Sequence, residues 1–439
     1  MLRRPGGSIG SGRAHPYGRR PTVVAARGRT PVTDSAGIPG GTDAAGGAGR
    51  PPRSRGRRRR LLRWIGLGVT FLVLAGTATG WWLYNKLDGN ITEDTPAAAE
   101  LRRYERERPA HLATGAQNIL LIGSDSRSGK DNARYGQDGG TQRSDTTILL
   151  HLPQDRRSAT AVSIPRDLMT DIPSCRQVDG SRTVERFAQF NWAFQWGGAA
   201  CTIRTVEKLT GIRVDHHMVI DFGGFKKMVD AIGGVEVCLK APVNDTEAKL
   251  RLAAGRQTLR GEQALGYVRA RHSLGNGSDT ERMDRQQQFL GSLVKKVQSN
   301  GVLLNPARLY PLLDAATSSV TTDPGLASLR GLYELVRGMR DIPTDQVKFL
   351  TVPRKPYAPD PNRDELVEPD AARLFQQLRT DKPVTVAPPK PTPSAAAAEG
   401  AGAGTDAGSD ADSADEGTVT PQVPVPTFTG TTAGNADCR

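Results

Sequence analysis

The chain has 439 residues, 24% of them charged, and a formal net charge of +13 at pH 7. This length exceeds one compact domain of ordinary size and allows one large core with appended segments. Residues 1–60 hold fourteen Arg, no Lys and two Asp, so twelve of the thirteen net positive charges lie in this stretch and the remainder is nearly neutral. The charge is therefore that of a basic arm, and no nucleic-acid partner is expected.

An apolar segment follows the basic arm. Residues 1–60 are rich in Gly, Pro and Arg and are predicted to form a disordered tail. Residues 61–84, with the sequence LLRWIGLGVTFLVLAGTATGWWLY, carry one charge, at Arg63, and are long enough to cross a bilayer. A cleaved signal peptide would have a shorter apolar core and would lie closer to the N-terminus. The sequence therefore predicts one retained transmembrane helix.

The residues that flank this helix predict its orientation. The run RSRGRRRR at 53–60 precedes it, and Trp81, Trp82 and Tyr84 form an aromatic belt at its other end. Basic residues stay on the cytoplasmic side, so the N-terminus is predicted to be cytoplasmic, beside anionic membrane lipid, and the chain beyond the helix to be extracellular. The extracellular part is predicted to contain a helical stalk at 85–116, a folded domain at 117–380 and a disordered Pro/Ala/acidic tail at 381–439.

Three short apolar runs open the folded domain and are typical of buried strands: NILLIG at 118–123, TTILLHL at 146–152 and ATAVSIP at 159–165. Polar residues follow the first and third runs and precede the second. If the first two strands are antiparallel neighbours and the third is parallel to the first, these polar ends meet on one edge of the sheet. The Gly/Asp-rich linker at 124–145 is longer than a hairpin needs, and such loops are usually either functional or disordered, so a functional site at that edge is one of two interpretations.

Helices alternate with further strands in the second half of the domain. Periodicity predicts helices at 201–211, 222–234 and 279–298 and a strand at 235–239. The stretch YVRARH at 267–272 is predicted to be a strand that continues a short helix beginning at 261, with Tyr267, Arg269 and Arg271 on one face. Taken alone, the same pattern is typical of a solvated strand edge. The alternation predicts an α/β fold in which helices flank a mixed central sheet, an α/β sandwich.

The four cysteines suit an oxidising exterior. They allow three pairings, of which Cys175 with Cys201 is favoured because both lie in loop-like contexts. No two cysteines have the spacing of zinc ligands, and the pair His216-His217 is isolated, so a zinc site is not expected.

Charged side chains collect where the predicted strands meet loops. They are Arg127, Arg143, Arg166, Arg269, Arg271, Arg282, Arg285, Asp125, Asp145 and Asp167. Arg suits bidentate recognition of phosphate, and paired carboxylates can hold a Mg²⁺ ion that itself binds phosphate oxygens. Arg282 and Gln286 stand four residues apart on one face of a predicted helix. The set predicts a diphosphate site.

Seven motifs occur in an order that resembles a known family. They are NILLIGSDSR, RSDTTILLHL, SIPRD, FNWAFQWGGAACTIRTVEKLTGIRVDH, DFGGFKKMVDAIGGVEV, GEQALGYVRAR and SDTERMDRQQQFL. Together they are similar to the LytR-CpsA-Psr (LCP) family of cell-wall glycopolymer ligases in its actinobacterial form. The resemblance is closest over 117–298 and extends more loosely to about 355.

The resemblance implies a phosphotransferase that moves a glycopolymer from a polyprenyl-diphosphate carrier to a hydroxyl of peptidoglycan or wall glycan outside the cell. Catalytic roles carried over by motif fall on Asp125, Arg143, Asp145, Arg166, Arg269 and Arg271. Among these, the two aspartates would bind Mg²⁺ or Mn²⁺ and the four arginines would grip the diphosphate. Arg282 and Gln286 would complete the substrate pocket.

The resemblance also implies an apolar tunnel for the lipid between the sheet and its helices. Candidates for its lining are Phe190, Trp192, Phe194, Phe225 and Val229, although each is also typical of an ordinary core residue. One position departs from the family: members often carry Lys two residues before the Asn of the FNWAF motif, and here that position is Gln189. A phosphate contact there is weakened or replaced.

The expected chemistry is attack of an acceptor hydroxyl on the phosphate that bears the polymer, with arginines and the metal ion stabilising the leaving polyprenyl phosphate. Asp125 could take the hydroxyl proton, and Asp167 could orient Arg166. Two alternatives stay open at this point. The same residues could serve a hydrolase that cleaves the polyprenyl diphosphate with water, and the chain could instead be a non-enzymatic regulator of the cell envelope.

Overall fold

A computed structural model describes residues 55–111, 115–125, 144–270, 279–299, 306–388 and 426–435. Two of the predicted site residues, Arg143 and Arg271, lie outside these ranges, as does Arg127. One compact unit, Val69–Arg439, contains every strand described below.

The first described element is α1, Arg55–Asn90. Its stretch Arg58–Asn90 is long and apolar enough to cross a membrane, and none of its most apolar window is buried. Leu72 and Trp81, for example, are 70% exposed. The chain therefore has one candidate membrane span among its described residues, as the sequence predicts. The helix begins before residue 61 because the preceding arginines are good helix formers.

The rest of the described chain contains seventeen strands and eight further α-helices. The strands are β1 Thr92–Glu93, β2 Gln117–Ser124, β3 Ser144–Leu152, β4 Ala159–Ile164, β5 Met169–Ile172, β6 Arg186–Gln189, β7 His216–Asp221, β8 Val235–Leu239, β9 Val243–Asp245, β10 Leu250–Leu252, β11 Gly255–Leu259, β12 Val320–Thr322, β13 Val347–Thr351, β14 Arg354–Tyr357, β15 Asp360–Leu366, β16 Thr385–Ala387 and β17 Thr427–Thr432. The helices are α2 Thr95–Arg103, α3 Trp192–Thr210, α4 Phe222–Ala231, α5 Gly261–Arg269, α6 Asp279–Ser299, α7 Pro306–Thr317, α8 Leu329–Met339 and α9 Asp370–Arg379.

Nine strands form one mixed sheet in the order β1-β12-β7-β2-β3-β4-β13-β17-β16. The central pairs β2–β3 and β3–β4 are antiparallel, and β7 lies parallel to β2 on its other side. The first three predicted strands are therefore confirmed, and they run in the predicted directions. The predicted α/β fold class, a mixed central sheet flanked by helices, is confirmed as well.

The two faces of the sheet bury different helices because side chains alternate along each strand. On β2, Leu120 and Ile122 belong to a core with α2, α3 and α9. Ile119 and Leu121 point the other way, into a core that includes Leu290 of α6. A third cluster joins α4, α5 and α6 around Phe289. We call the two sides the α3 face and the α6 face.

The predicted strand at 267–272 is wrong for its described part. Tyr267 and Arg269 lie in α5, where residues two apart do not share a face. The six-residue stretch fits a period of two, but Ala264, Tyr267 and Val268 stand at helical spacing, and Ala264 and Tyr267 are buried against Phe289. Packing against α6 therefore favours a helix that begins at 261 over the predicted strand.

The stalk predicted at 85–116 is not a free helix. In α2, Ala97 and Leu101 are buried in the α3-face core, and β1 adds to the edge of the sheet beside β12. Asp94 caps α2 by accepting from the Ala97 amide at 3.0 Å and lies 3.2 Å from Nε2 of His217. Burial tends to raise the pKa of Asp94, but these hydrogen bonds from His217 and Ala97 bring it below its usual value. The segment belongs to the folded domain.

The tail predicted to be disordered at 381–439 also contributes to the sheet. β16 and β17 pair with each other, and β17 pairs with β13. Phe428 is 7% exposed, and Ala433 is fully buried against the α6-face core. The Pro, Ala and acidic composition obscures this short TFTGTT strand, which is stabilised by long-range pairing and by burial of Phe428.

Candidate active site

The polar ends of four neighbouring strands meet at one edge of the sheet, which we call the rim. Ser124, the last residue of β2, pairs with Ser144 of β3 on one side and with Asp221 of β7 on the other. Asp125 follows β2 directly, and Arg166 follows β4. This is the arrangement that the directions of the predicted strands required.

A β-bulge places Asp145 at the rim. Gly123 pairs with Thr146 and Ser124 pairs with Ser144, so Asp145 is the additional residue on β3. A bulge of this kind re-aims a side chain and is common beside active sites. Here it brings the carboxylate of Asp145 to the guanidinium of Arg166.

Arg166 is held from both sides. Its Nη1 donates to Oδ1 of Asp145 at 2.9 Å, and its Nε donates to Oδ2 of Asp167 at 3.2 Å. Oδ1 of Asp167 in turn accepts from Nε2 of Gln189 at 2.8 Å. Gln189, Asp167, Arg166 and Asp145 thus form one hydrogen-bonded chain, which fixes the plane of the guanidinium. Sequence reasoning anticipated the Asp167 contact but omitted Gln189, because Gln there departs from the family's Lys.

A cavity of about 440 Å³ opens below the rim on the α6 face. Five of the predicted site residues line it: Asp145, Arg166, Arg269, Arg282 and Gln286. They come from β3, from the end of β4 and from α5 and α6, and the fold brings them together. Asp125 is described but does not line this cavity.

On the helical side of the cavity, further contacts hold the side chains of α5 and α6. The guanidinium of Arg269 lies 4.5 Å from the centre of the Phe222 ring, a cation–π contact. Nε2 of Gln286 donates to the carbonyl of Val268 at 3.1 Å, which ties α6 to the end of α5. Arg285, which sequence reasoning grouped with the phosphate ligands, instead donates to the carbonyl of Ala270. Burial lowers the pKa of Arg285.

The inner wall of the cavity is apolar. It includes Phe225 and Phe289, whose ring centres lie 5.7 Å apart, together with Leu265 and Leu290. Of the five residues predicted to line a lipid tunnel, Phe225 lines this cavity.

The prediction is wrong for the other four residues. Phe190 and Phe194 pack in the α3-face core, and Trp192 packs beside the disulfide that joins Cys175 to Cys201. Val229 is buried in the core around Phe289. The sequence could not show that α3 covers the opposite side of the sheet. The favoured cysteine pairing is confirmed.

The rim has the donor set that Mg²⁺ uses. Asp125 and Asp145 stand at adjacent strand ends, and the buried Oγ of Ser144, the residue before Asp145, has no hydrogen-bond partner within the described structure. No group of three or more His, Cys, Asp or Glu that could hold a metal occurs among the described residues. Mg²⁺ commonly takes one or two carboxylates and completes its shell with water and substrate phosphates. Mn²⁺ accepts the same oxygen donors.

The balance of charge also favours a cation. Among its described lining residues, the cavity has the carboxylates Asp145, Asp221, Asp245 and Glu247 against the guanidiniums Arg166, Arg269 and Arg282. An anionic ligand would meet repulsion there unless a cation came with it. The residues present therefore fit a divalent metal ion.

The fold and the site define a class: α/β proteins with arginines and carboxylates clustered at one edge of a mixed sheet, above an apolar cavity. Within that class the chain belongs to the LytR_cpsA_psr family, whose family model matches residues 88–381. The match begins before 117, in agreement with the packing of α2 on the sheet.

Named relatives come from cell-wall biosynthesis. The chain is 33% identical over 348 residues to the cell wall biosynthesis protein LcpA of Corynebacterium glutamicum, covering 74% of this chain and 64% of that one. It is 39% identical over 236 residues to the probable cell wall biosynthesis protein LcpB of the same organism, covering 52% and 54%. These two matches confirm the actinobacterial form of the family. The matched regions span about two thirds and about half of these relatives.

A third relative has a named activity. The polyisoprenyl-teichoic acid–peptidoglycan teichoic acid transferase TagT of Bacillus subtilis is 28% identical over 308 residues, covering 67% of this chain and 88% of TagT. Among solved structures, the protein gbs0355 of Streptococcus agalactiae superposes with a TM-score of 0.50 at 23% identity, covering 62% of this chain and 89% of that one. This structural likeness concerns the fold.

Proposed function

We propose that this protein is a phosphotransferase that moves a glycopolymer from a polyprenyl-diphosphate carrier to a hydroxyl of peptidoglycan or another wall glycan. One observation carries the proposal: Arg166, Arg269 and Arg282 line a single cavity with apolar inner walls. The guanidiniums offer hydrogen-bond donors to a diphosphate that arrives with a divalent cation, and the apolar inner wall complements the hydrocarbon chain attached to it. The name of TagT supports the same kind of reaction, and the name of LcpA supports a role in cell-wall biosynthesis.

The donor binds with its diphosphate at the rim and its lipid below. The guanidiniums donate bidentate hydrogen bonds to the phosphate oxygens, as Arg does in most phosphate sites. The first isoprene units pack against Phe225, Phe289 and Leu290. A volume of about 440 Å³ suits a small-molecule fragment, so only the part of the lipid next to the diphosphate is enclosed.

The reaction is an in-line displacement at the phosphate that bears the polymer. The acceptor hydroxyl oxygen forms the new P–O bond, and the bond to the bridging oxygen breaks, so the electron pair leaves with polyprenyl phosphate. Asp125 takes the hydroxyl proton. Arg166, held in one plane by Asp145 and Asp167, stabilises the charge that develops on the phosphate oxygens. A Mg²⁺ or Mn²⁺ ion held by Asp125 and Asp145 would supply further neutralisation of the diphosphate.

The protein acts at the outer surface of the cell membrane. Support comes from the long exposed apolar helix α1, from the basic run that precedes it in sequence, and from relatives named for cell-wall biosynthesis. In this orientation the N-terminus is cytoplasmic and the LCP catalytic domain is extracellular. Membrane lipid then surrounds α1, and the lipid-linked donor reaches the rim from the same membrane.

The test uses the full-length protein in lipid vesicles with a polyprenyl-diphosphate-linked oligosaccharide as donor and uncrosslinked peptidoglycan strands as acceptor. We expect oligosaccharide to become attached to the strands, and chelation by EDTA to stop the reaction until Mg²⁺ or Mn²⁺ is restored. Arg166→Ala should lower kcat/KM by about 10²–10³-fold, as the loss of a transition-state hydrogen-bond donor does. Arg157→Ala, at an exposed turn between β3 and β4, is the matched control and should leave the rate unchanged.

Two results would contradict the proposal. Release of polyprenyl phosphate with no attachment to strands would favour a hydrolase. Full transfer by the Arg166→Ala protein would mean that the rim takes no part in the reaction. It would favour a non-enzymatic role for the site.

A further inference from the structure

A second cavity opens at the same rim on the opposite side of the sheet, and we call it the rim cleft. Its volume is about 860 Å³, and its polar lining includes Glu100, Arg103, Arg176, Gln177, Ser319 and Thr321. Its walls come from α2, the loop after Cys175, the middle of α3 and the ends of β2, β7 and β12. None of the arginines that line the first cavity lines it.

A break in α3 shapes the cleft. Gly197 and Gly198 line it and have non-helical backbone angles, with φ of +59° at Gly198. A side chain at Gly197 would lie 2.8 Å from Cβ of Cys201 and 3.1 Å from Cβ of Cys175, so only glycine fits between the two halves of the disulfide. The disulfide holds the loop after Cys175 against the break. The two glycines and the disulfide therefore determine the shape of the cleft.

The two cavities meet at the rim. Asp221 lines both of them, and Ser124, which pairs with Asp221, lines the cleft immediately before Asp125. The first cavity lies against α6, whereas the cleft lies against Phe194 and Ala200 of α3. The end of β2 is thus the boundary between a cavity on one face of the sheet and a cleft on the other.

In-line displacement gives these two sides different roles. The attacking oxygen must approach the phosphorus atom from the side opposite the leaving oxygen. In the proposed function the leaving polyprenyl phosphate lies on the α6 face, so the attacking hydroxyl arrives from the α3 face. The rim cleft is the described cavity on that face which reaches the rim.

We propose that the rim cleft binds the acceptor, a hydroxyl-rich glycan chain, and presents one of its hydroxyls to the rim beside Asp125. This assignment rests on the proposed function and extends it to the second substrate. Sugar hydroxyls both donate and accept hydrogen bonds, and the cleft offers carboxylate, guanidinium, amide and hydroxyl groups. Glu100 lies 3.6 Å from Arg103 and 3.8 Å from Arg182, and its buried Oε1 has no hydrogen-bond partner within the described structure, so it can accept from a sugar hydroxyl.

The test compares two neighbouring positions on α2. Ala99 lines the cleft, and Ala98 does not. Full-length Ala99→Trp protein should raise the KM for uncrosslinked peptidoglycan strands at least tenfold, because the indole occupies space that the glycan needs, and should leave the KM for the lipid-linked oligosaccharide within twofold of wild type. Ala98→Trp should change neither constant.

A second pair of variants removes the dependence on one bulky substitution. Arg103→Glu reverses a charge in the cleft, and Arg102→Glu reverses a neighbouring exposed charge outside it. We expect the acceptor KM to rise for the first and to stay constant for the second.

The results separate the two proposals. If wild type transfers and both Ala99→Trp and Arg103→Glu keep the wild-type acceptor KM, the cleft assignment is overturned and the proposed function stands. An equal rise in the donor KM would assign the cleft to the donor's polymer and would also overturn it. If wild type attaches nothing to the strands, the proposed function fails and the cleft assignment fails with it.

Discussion

Gln189 shows how a single side chain can support the proposed phosphate site without lining its cavity. It donates to Asp167, which accepts from Nε of Arg166, which donates to Asp145. Asp167 therefore receives hydrogen bonds on both of its oxygens and is fixed against rotation. A guanidinium has its donors in one plane, so fixing one edge of Arg166 fixes the direction of the others.

We expect Gln189→Ala to lower kcat/KM for the lipid-linked donor about tenfold, since a hydrogen bond to a charged group contributes about 1.5–3 kcal/mol and only part of it is lost from the transition state. Gln189→Lys should retain most activity, because an ammonium group can also donate to Asp167. Asp171→Ala, at an exposed position on the paired strand β5, is the control. Equal losses in the Ala and Lys variants at unchanged melting temperature would contradict the positioning role.

At the scale of elements, α2 packs against the folded domain although its composition is typical of a stalk. Ala97 and Leu101, four residues apart on one face of the helix, are buried against the sheet and α3. The exposed residues of α2 are charged or small, which is why its composition resembles that of a linker. The same docking forms one wall of the rim cleft, so the position of α2 bears on function as well as on stability.

Leu101→Ala should lower the free energy of unfolding of the domain by about 2–4 kcal/mol, because it removes a buried side chain and leaves a cavity. Arg102→Ala, on the exposed side of the same helix, should change it by less than about 0.5 kcal/mol. Denaturant-induced unfolding of the full chain followed by tryptophan fluorescence measures both. Equal stability of Leu101→Ala and wild type would mean that α2 is a free stalk after all.

At the scale of the whole molecule, the sheet is completed by a strand from near the end of the chain. β17 lies between β13 and β16 and reaches the sheet after a long Pro, Ala and acidic stretch. Its second residue, Phe428, is buried in the α3-face core. The strand that closes the sheet is thus far in sequence from every strand that forms the rim.

Phe428→Ala should cost about 3–5 kcal/mol of unfolding free energy, the usual loss for a buried aromatic side chain. Deletion of residues 395–420, a stretch that the sequence predicts to be flexible, should change stability by less than about 1 kcal/mol, because the entropy of closing a loop varies slowly with its length. Thermal unfolding of the two variants and wild type measures the difference. If the deletion lowered the free energy of unfolding as much as Phe428→Ala does, the prediction that residues 395–420 form a flexible linker would be wrong.

The sequence by itself determined the elements whose signal is local. Apolar runs bounded by polar residues located β2, β3 and β4 and predicted that their polar ends share one edge; the apolar segment located the candidate membrane helix. Motifs placed Asp145, Arg166, Arg269, Arg282 and Gln286 in one site before their convergence on one cavity was visible. Such signals can be recognised in the sequence because strand pattern and motif depend on near neighbours along the chain.

Only the tertiary structure decided which faces of these elements meet. It made Tyr267 and Arg269 helical, docked α2, added β17 to the sheet, put Phe190 and Phe194 on the opposite side from the site, and joined Gln189 to Arg166. Each of these outcomes depends on contacts between segments far apart in sequence. The free energy of such contacts comes from burying surfaces against each other, and a sequence window carries no record of the partner surface.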